Sequence, residues 1–482
     1  GLEAAQVREY EAPVGDTEIL LAQLWAELLK VERVGRHDHF FELGGHSLLA
    51  VSLIGRMRRA GLSADVRVLF GQPTLAALAA AVGRGREVQV PANLIYRDCP
   101  RITPDLLPLL ALDQAAIDRV VATVPGGTAN VQDIYPLAPL QAGILFHHLA
   151  AGAGDPYVLQ AQFAFASTER LQAFAQALQG VIERNDILRS AVLWEGLEQP
   201  LQVVWRQAPL CCEEIALEPG DGEVLGQLQA RFDSRRYRLD IAQAPLLRLV
   251  HAADPVNQRV VALLLFHHLV MDHVALEVLQ HELQAFLLGQ QQRLGEAVPY
   301  RNYVAQARLG IGEAEHEAFF RQMLGDIDQP TLPLGLQEVP GGSAELSEAR
   351  QPLDRLLSRR LRLQARQLGV SAASLMHLAW GRVLGSLAGQ QQVVFGTVLL
   401  GRMQGGEGAE RALGVFINTL PLRVDLGELP VREALLATHE RLAQLLGHEQ
   451  APLALVQRCS GVEPGTPLFS SLLNYRHSAP AA

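Results

Sequence analysis

Hydrophobic and polar positions along this chain follow two rhythms, one after the other. From Thr17 the apolar residues Ile19, Leu20, Leu24, Trp25, Leu28 and Leu29 fall on one helical face. After a polar loop, Gly44 and Gly45 break the pattern. Ser47 then stands directly before a second helical run of Leu48, Leu49, Val51, Leu53 and Ile54. Leu75 to Val82 gives a third helical stretch, and the pattern ends near Arg84. Connections this short predict a small all-helical bundle over residues 15–85. Residues 1–14 read as a linker. Residues 86–101, with Pro91, Pro100 and few periodic apolar positions, read as a second.

From residue 102 to 482 the pattern becomes mixed α/β. Leu171–Glu183, His273–Leu288, Glu313–Leu324 and Ser358–Leu368 have helical spacing. Gln202–Trp205, Val260–Phe266 and Val393–Val398 are β-branched or continuously apolar and read as strands. Gly341–Glu348 reads as a solvent loop, and no internal repeat is visible.

Composition narrows the class. At 482 residues the chain is long enough for two to four domains, and 49% hydrophobic against 19% charged residues excludes a disordered chain. A net charge of −10 with no basic cluster argues against nucleic acid. Lys30 is the only lysine, and the arginine bias resembles that of a GC-rich bacterial genome. Cys99, Cys211, Cys212 and Cys459 form no C-x-x-C pair, so neither disulfides nor zinc are indicated and a reducing cytoplasm is expected. The longest apolar runs are far too short for a bilayer. The N-terminus lacks the basic start and apolar centre of a signal peptide, and looks like the cut end of something longer.

Two glycines followed by a serine at a helix start, LGGHSLL over 43–49, suit either an N-cap or an anion held by free amides. The longer stretch HDHFFELGGHSLLAVSLIGRMRR, residues 37–59, resembles the core of a peptidyl carrier protein. That resemblance implies a four-helix bundle in which Ser47 carries 4′-phosphopantetheine, with the substrate held as a thioester. His46 matches carriers that precede condensation domains, where carriers of separate epimerisation domains have Asp.

In LLLFHHLVMDH, residues 263–273, an apolar strand ends in His267 and His268, with Asp272 and His273 opening a helix. Read alone, the pair could bind metal, supply a general base, or be structural. HHLVMDH resembles the HHxxxDG motif of condensation domains, with His273 in place of glycine. YPLAPLQAGILFH (135–147), RNDILRS (184–190), YRNYVAQ (300–306), GVFINTLPLR (414–423), HEQAPL (448–453) and PLFSSLLNYRH (467–477) resemble that family's other motifs in order. Asn185, Ser190, Asn302 and Gln306 are departures. The resemblance implies two chloramphenicol-acetyltransferase-like lobes forming a V around a tunnel. It marks His268 as the catalytic histidine, acting on the acceptor amine as it attacks the donor thioester. It also leaves His267 a structural role, has Asp272 hold the loop through an arginine with Arg189 as one candidate, and makes Asn418 a structural support.

FHHLAAGAGDPYV adds a second pair. His147 and His148, followed by Gly154 and Asp155, fit HH[I/L]xxxxGD, the extra motif of dual epimerisation/condensation domains. This implies that the donor residue on Ser47 is inverted from L to D before amide formation, with His268 again the base. Condensation without epimerisation, or an inactive docking platform, are the alternatives. The implied partners are an upstream adenylation domain, a downstream carrier/adenylation module, a phosphopantetheinyl transferase and aminoacyl or peptidyl thioesters, with no nucleic acid and no membrane. Family members continue beyond NYRHS, so a C-terminal truncation is expected.

Overall fold

The computed structural model describes residues 10–64, 66–71, 73–83, 88–217, 222–335, 347–403, 405–406, 408–427 and 429–476. The side chains of Ser47, Leu48 and Val66 lie outside this description, as do His477 and most of the linker over 1–14. The same holds for the loop expected at Gly341–Glu348, apart from its last two residues. Among the described residues no helix is long and apolar enough to cross a membrane.

The N-terminal bundle has four helices: α1 (Gly15–Leu29), α2 (Ser47–Arg59), α3 (Val66–Gly71) and α4 (Leu75–Ala81). Three of them follow the apolar periodicity; the six-residue α3 is too short to announce itself. In α1 the buried stripe is Leu21, Ala22 and Trp25, whereas Ile19 is exposed. The stripe is therefore rotated from the expected face, and Trp25 closes the bundle edge-on against Phe40.

The remainder folds as two lobes. The first holds an antiparallel sheet β1 (Val131–Pro136), β4 (Leu201–Trp205) and β3 (Ser190–Leu193), in the order β1-β4-β3. Beside it is a four-stranded sheet of order β2-β7-β6-β5, built from β2 (Val158–Phe165), β7 (Arg259–His267), β6 (Leu247–Asp254) and β5 (Cys211–Glu214). Strand β7 explains itself: Ala262, Leu264 and Phe266 face one core while Val261, Leu263 and Leu265 face another. A strand covered on both faces reads as an unbroken apolar run with the side-chain period of two. The helices Thr168–Arg184 and His273–Leu287 pack together over the first of those cores. The second lobe carries β10 (Leu472–Leu473), β8 (Gln392–Leu399) and β9 (Asn418–Asp425) in the order β10-β8-β9, with the helices Ala372–Ala388 and Val431–Leu446.

Two features depart from the sequence reading. The segment expected to be a linker is packed from Pro91 on: Ile95 and Cys99 are buried beneath the three-stranded sheet, and Asn93 donates to the Gln132 carbonyl at 2.9 Å. Its apolar residues fill a gap singly, so no periodicity betrays them. Further on, the connection from β8 to β9 leaves the second lobe, and its Ala409, Ala412, Leu413 and Phe416 are buried in the core of the first.

Candidate active site

Strand β7 carries its apolar run to the end of the sheet and delivers His267 and His268 there. His267 is fully buried. Its Nδ1 accepts the Leu269 backbone N–H at 3.0 Å, so the ring proton resides on Nε2, which donates to Asp155 Oδ2 at 2.8 Å. Burial pushes the His267 imidazole below its usual pKa against the opposing pull of Asp155, so the ring is neutral near pH 7.

Asp155 belongs to the other histidine motif, and the structure brings the two motifs into contact. His148, buried on the helix Pro139–Ala150, meets the same Asp155 Oδ2 through Nδ1 at 2.5 Å. The other carboxylate oxygen accepts the Tyr157 N–H at 2.9 Å, and the Tyr157 carbonyl accepts the N–H of His268 at 2.9 Å. Burial works to raise the Asp155 carboxyl, but the bonds from His148 and His267 outweigh it and hold it well below the usual carboxylate range. Both oxygens therefore lead to the loop bearing His268. The three groups are ligand types for a metal, yet the two imidazoles already share one oxygen at hydrogen-bond distance, which is a proton-sharing arrangement.

Gly154 makes this possible. Its φ is +71°, and a Cβ there would fall 2.3 Å from the Arg235 carbonyl. Glycine lets residues 233–235 pass close enough for the Asp155 N–H to reach the Ser234 carbonyl at 2.6 Å. Arg238 then clamps the end of the preceding helix through the carbonyls of His148 and Ala151, at 2.6 and 2.7 Å. His147, one residue before His148, is exposed, and its ring lies 6.2 Å from that of Tyr157.

His268 is half-buried, with its ring 6.4 Å from that of Tyr157. Its Nδ1 is buried and has no hydrogen-bond partner among the described residues. A buried polar atom without a partner costs about 1–3 kcal/mol, so its presence calls for an explanation.

Asp272 caps the helix His273–Leu287 by accepting the Ala275 N–H at 2.8 Å. Its arginine is Arg402, not Arg189. Arg402 donates to Asp272 Oδ1 at 3.1 Å, both side chains are fully buried, and the guanidinium stacks 4.0 Å over the Phe416 ring. Asp272 Oδ2 takes the Phe416 N–H at 2.9 Å. Burial works to raise this carboxyl, and Arg402 with the backbone amides holds it down. Because Arg402 comes from the β8–β9 connection, this pair ties the active-site helix to the second lobe. No local pattern marks Arg402: it is a single arginine between an apolar strand and a glycine-rich stretch. Arg189 instead braces the three-stranded sheet, donating to the Ile182 carbonyl at 3.1 Å and Gln132 Oε1 at 2.7 Å. Nearby, the motif departure Asn185 donates to Glu282 at 2.6 Å. Asn418 donates to the carbonyls of Glu449 and Ala451, at 2.9 and 2.8 Å, and supports the second lobe.

The N-terminal bundle packs on the second lobe in one continuous buried cluster. Arg58 on α2 donates to the carbonyls of Met403 and Gly406, at 3.1 and 2.8 Å. His439 Nε2 donates to the Phe70 carbonyl at 3.0 Å while its Nδ1 meets Ser374 Oγ at 2.9 Å. Between them lies a cavity of about 460 Å³. Gly44, Gly45 and His46 wall one side, and His273, Val274 and Glu277 another, with the Arg355–Gln367 helix at the rim. Ser47 follows His46 as the first residue of α2. Gly45 is obligatory, since a Cβ would fall 2.3 Å from the Phe40 ring. His273, which replaces the expected glycine, lines this cavity half-buried; burial pushes its pKa down against the pull of Asp272. His268 does not line it in this arrangement.

Residues 131–479 match the family described as "Condensation domain", and residues 20–82 match "Phosphopantetheine attachment site". The chain is 52% identical over 98% of its length to malpinin synthetase of the fungus Mortierella alpina, and spans 6% of that relative. It is 32% identical over 78% of its length to a linear gramicidin synthase of Brevibacillus parabrevis, spanning 5% of it. With relatives from a fungus and a bacterium, the arginine bias does not decide a bacterial source. Among solved structures, the condensation domain from the monacolin K polyketide synthase MokA aligns with a TM-score of 0.54 at 18% identity, covering 71% of this chain and 81% of that one. The first condensation domain of the CDA synthetase aligns equally well, at 0.54 and 18%, covering 71% and 80%. These likenesses establish the chloramphenicol-acetyltransferase-like two-lobe fold.

Proposed function

Since the chain belongs to the condensation-domain family and carries ahead of that domain a phosphopantetheine-attachment domain, with its covalent 4′-phosphopantetheine, we propose that it is a carrier–condensation segment of a non-ribosomal peptide synthetase whose condensation domain also epimerises its donor. Ser47 is the attachment residue. The arm, when present, supplies the donor as a thioester, which activates the acyl carbon and acidifies the neighbouring α-proton. The chain's own residues do the rest. His268 takes the α-proton of the donor residue and returns it to the opposite face. It then relieves the acceptor amine of a proton as the C–N bond forms and the C–S bond breaks, and that proton ends on the departing sulfur. The unpartnered Nδ1 supports this role, because no hydrogen bond among the described residues fixes the ring through that atom. Asp272 and Arg402 hold the helix behind it, and His267 is a fixed neutral support. The observation that carries the dual reading is the Asp155 bridge, because the residues of the second motif end on the backbone of His268 itself.

The synthetase context implies an upstream adenylation domain, a downstream carrier/adenylation module and a phosphopantetheinyl transferase, working in the cytoplasm. The test is to load the carrier with an L-aminoacyl pantetheine, incubate in heavy water, release the product and determine its mass and chirality. Deuterated D-product, lost in His268→Ala, is the expected outcome. An unlabelled L-residue that is nevertheless joined to a supplied acceptor reduces the function to condensation alone. If His268→Ala leaves peptide formation unchanged, the domain is a docking platform.

A further inference from the structure

The cavity shared by the N-terminal bundle and the second lobe has a wall charge opposite to that of the chain. The chain carries −10, yet the ionised residues lining this cavity are Arg362, Arg366 and Arg476 against one carboxylate, Glu277. Arg362 and Arg366 stand four apart on the helix Arg355–Gln367, so they project from one face. All three arginines are exposed at the rim, and none of their guanidiniums has a hydrogen bond or ion pair among the described residues. Arg402, Arg423 and Arg441 of this lobe are engaged with Asp272, Asp326 and Asp425, while the helix's other exposed arginines, Arg355, Arg359 and Arg360, do not line the cavity. The bundle approaches the cavity-lining set at Gly44, where a Cβ would lie 3.6 Å from Arg366 Nη2, three residues before Ser47. The first group of the arm beyond the serine oxygen is a phosphodiester. Guanidinium is the side chain best shaped for such an anion, and here it needs no release from another partner.

We propose that Arg366 and Arg362 form the subsite that holds the phosphodiester of the arm, and that this contact makes the docked arrangement specific for the modified carrier. The proposal rests on Ser47 being the attachment residue. The apolar contacts of Phe41 and Phe70 and the bond from His439 are available to any carrier; the arginine contact exists only once the phosphate is there. Because the pair lies at an exposed rim, salt screens it, with a Debye length of about 10 Å at 0.1 M.

The experiment is phosphorus NMR on the full holo chain, with the attachment residue established by peptide mass mapping. The urea-unfolded holo chain supplies the reference for a free phosphodiester. At low salt the folded protein should give a displaced, broadened resonance that returns toward the reference as salt is added. R362Q/R366Q should sit at the reference already at low salt. Being surface changes, the two substitutions should leave Tm within about 2 °C of the parent. The displacement should survive dilution, as an arm held within its own chain requires. A wild-type resonance already at the reference overturns the proposal, as does a displaced resonance that R362Q/R366Q leaves unmoved. Loss of the displacement on dilution assigns the subsite to the arm of another molecule and overturns the in-chain contact. Arm found on a residue other than Ser47 removes the attachment premise, and the subsite falls with it.

Discussion

Replacing Asp155 by Asn tests whether the second histidine motif acts through the loop of the first. The side chain keeps its size and loses its charge. The carboxylate now accepts from His148, His267 and the Tyr157 amide. Asn offers one acceptor oxygen, and its NH₂ must face a donor. Its NH₂ cannot be matched by moving the proton of His267 to Nδ1, because Nδ1 is committed to the Leu269 N–H. At least one buried donor is left without an acceptor, and hydrogen bonds to a charged group are worth about 1.5–3 kcal/mol each. The expected loss is about 3 kcal/mol from the condensation-domain unfolding transition in urea. Displacing the backbone of His268 by a fraction of an ångström to 1 Å should lower amide formation by about 100-fold. Rates are measured with a loaded chain and a separate acceptor carrier. His268→Ala is the control, expected to lose activity while keeping stability, since its Nδ1 has no partner to lose. An Asp155→Asn chain within about 0.5 kcal/mol of the parent and equally fast would refute the coupling.

Four further outcomes are expected. Arg402→Ala strands Asp272 as a buried unpaired charge and should cost about 3–5 kcal/mol in urea unfolding. Gly154→Ala should destabilise by about 1–3 kcal/mol, since the added Cβ meets the Arg235 carbonyl at a φ of +71°; a neutral effect would mean that residues 233–235 yield freely. The buried histidines should lower stability as pH drops from 7 to 5, against an opposing gain from Asp133, whose carboxyl burial pushes up to about 7. Burial holds His377 down to about 4 from 6.5, and pushes His267, His273 and His439 down as well. The unfolded chain therefore binds more protons below pH 6.5, and His377 alone accounts for about 2 kcal/mol by pH 5; His377→Gln should flatten that part of the profile. Arg58→Glu should loosen the bundle from the second lobe by removing its bonds to Met403 and Gly406, read as faster proteolysis near residues 84–90 with the condensation domain's own Tm unchanged.

Strand β7 and the helix Glu313–Leu324 are legible in the sequence because each carries one dominant signal: an apolar run buried on two faces, and an amphipathic repeat. The helices Ala372–Ala388 and Val431–Leu446 give no such signal. The first buries Ser374, His377, Gly381 and Gly385, and the second buries Thr438 and His439 while leaving Val431 and Leu436 exposed. Their contact faces interrupt the leucines with small and polar residues fitted to particular neighbours. At the site, His267, His268, Asp272 and the GD pair could be found because motif spacing is local. The bridge between the two motifs, and the identity of Arg402 as the partner of Asp272, span 112 and 130 residues and exist only after folding. Arg189, the candidate the motifs offer, is held instead by Ile182 and Gln132.

The β8–β9 connection bears on how carrier and condensation domains can be recombined. It rises from the second lobe, yet it plugs Phe416 into the first, supplies the counter-ion of Asp272 through Arg402, and presents the Met403 and Gly406 carbonyls to the bundle. Three bodies are thus keyed by one stretch of about 16 residues. A chimaera cut at the waist between the lobes would carry this key into a foreign lock, and its failure would resemble a defect in substrate choice. Splices that keep residues 402–417 with both their native first lobe and their native bundle preserve the fit, so the natural unit of exchange is the bundle and the two lobes together.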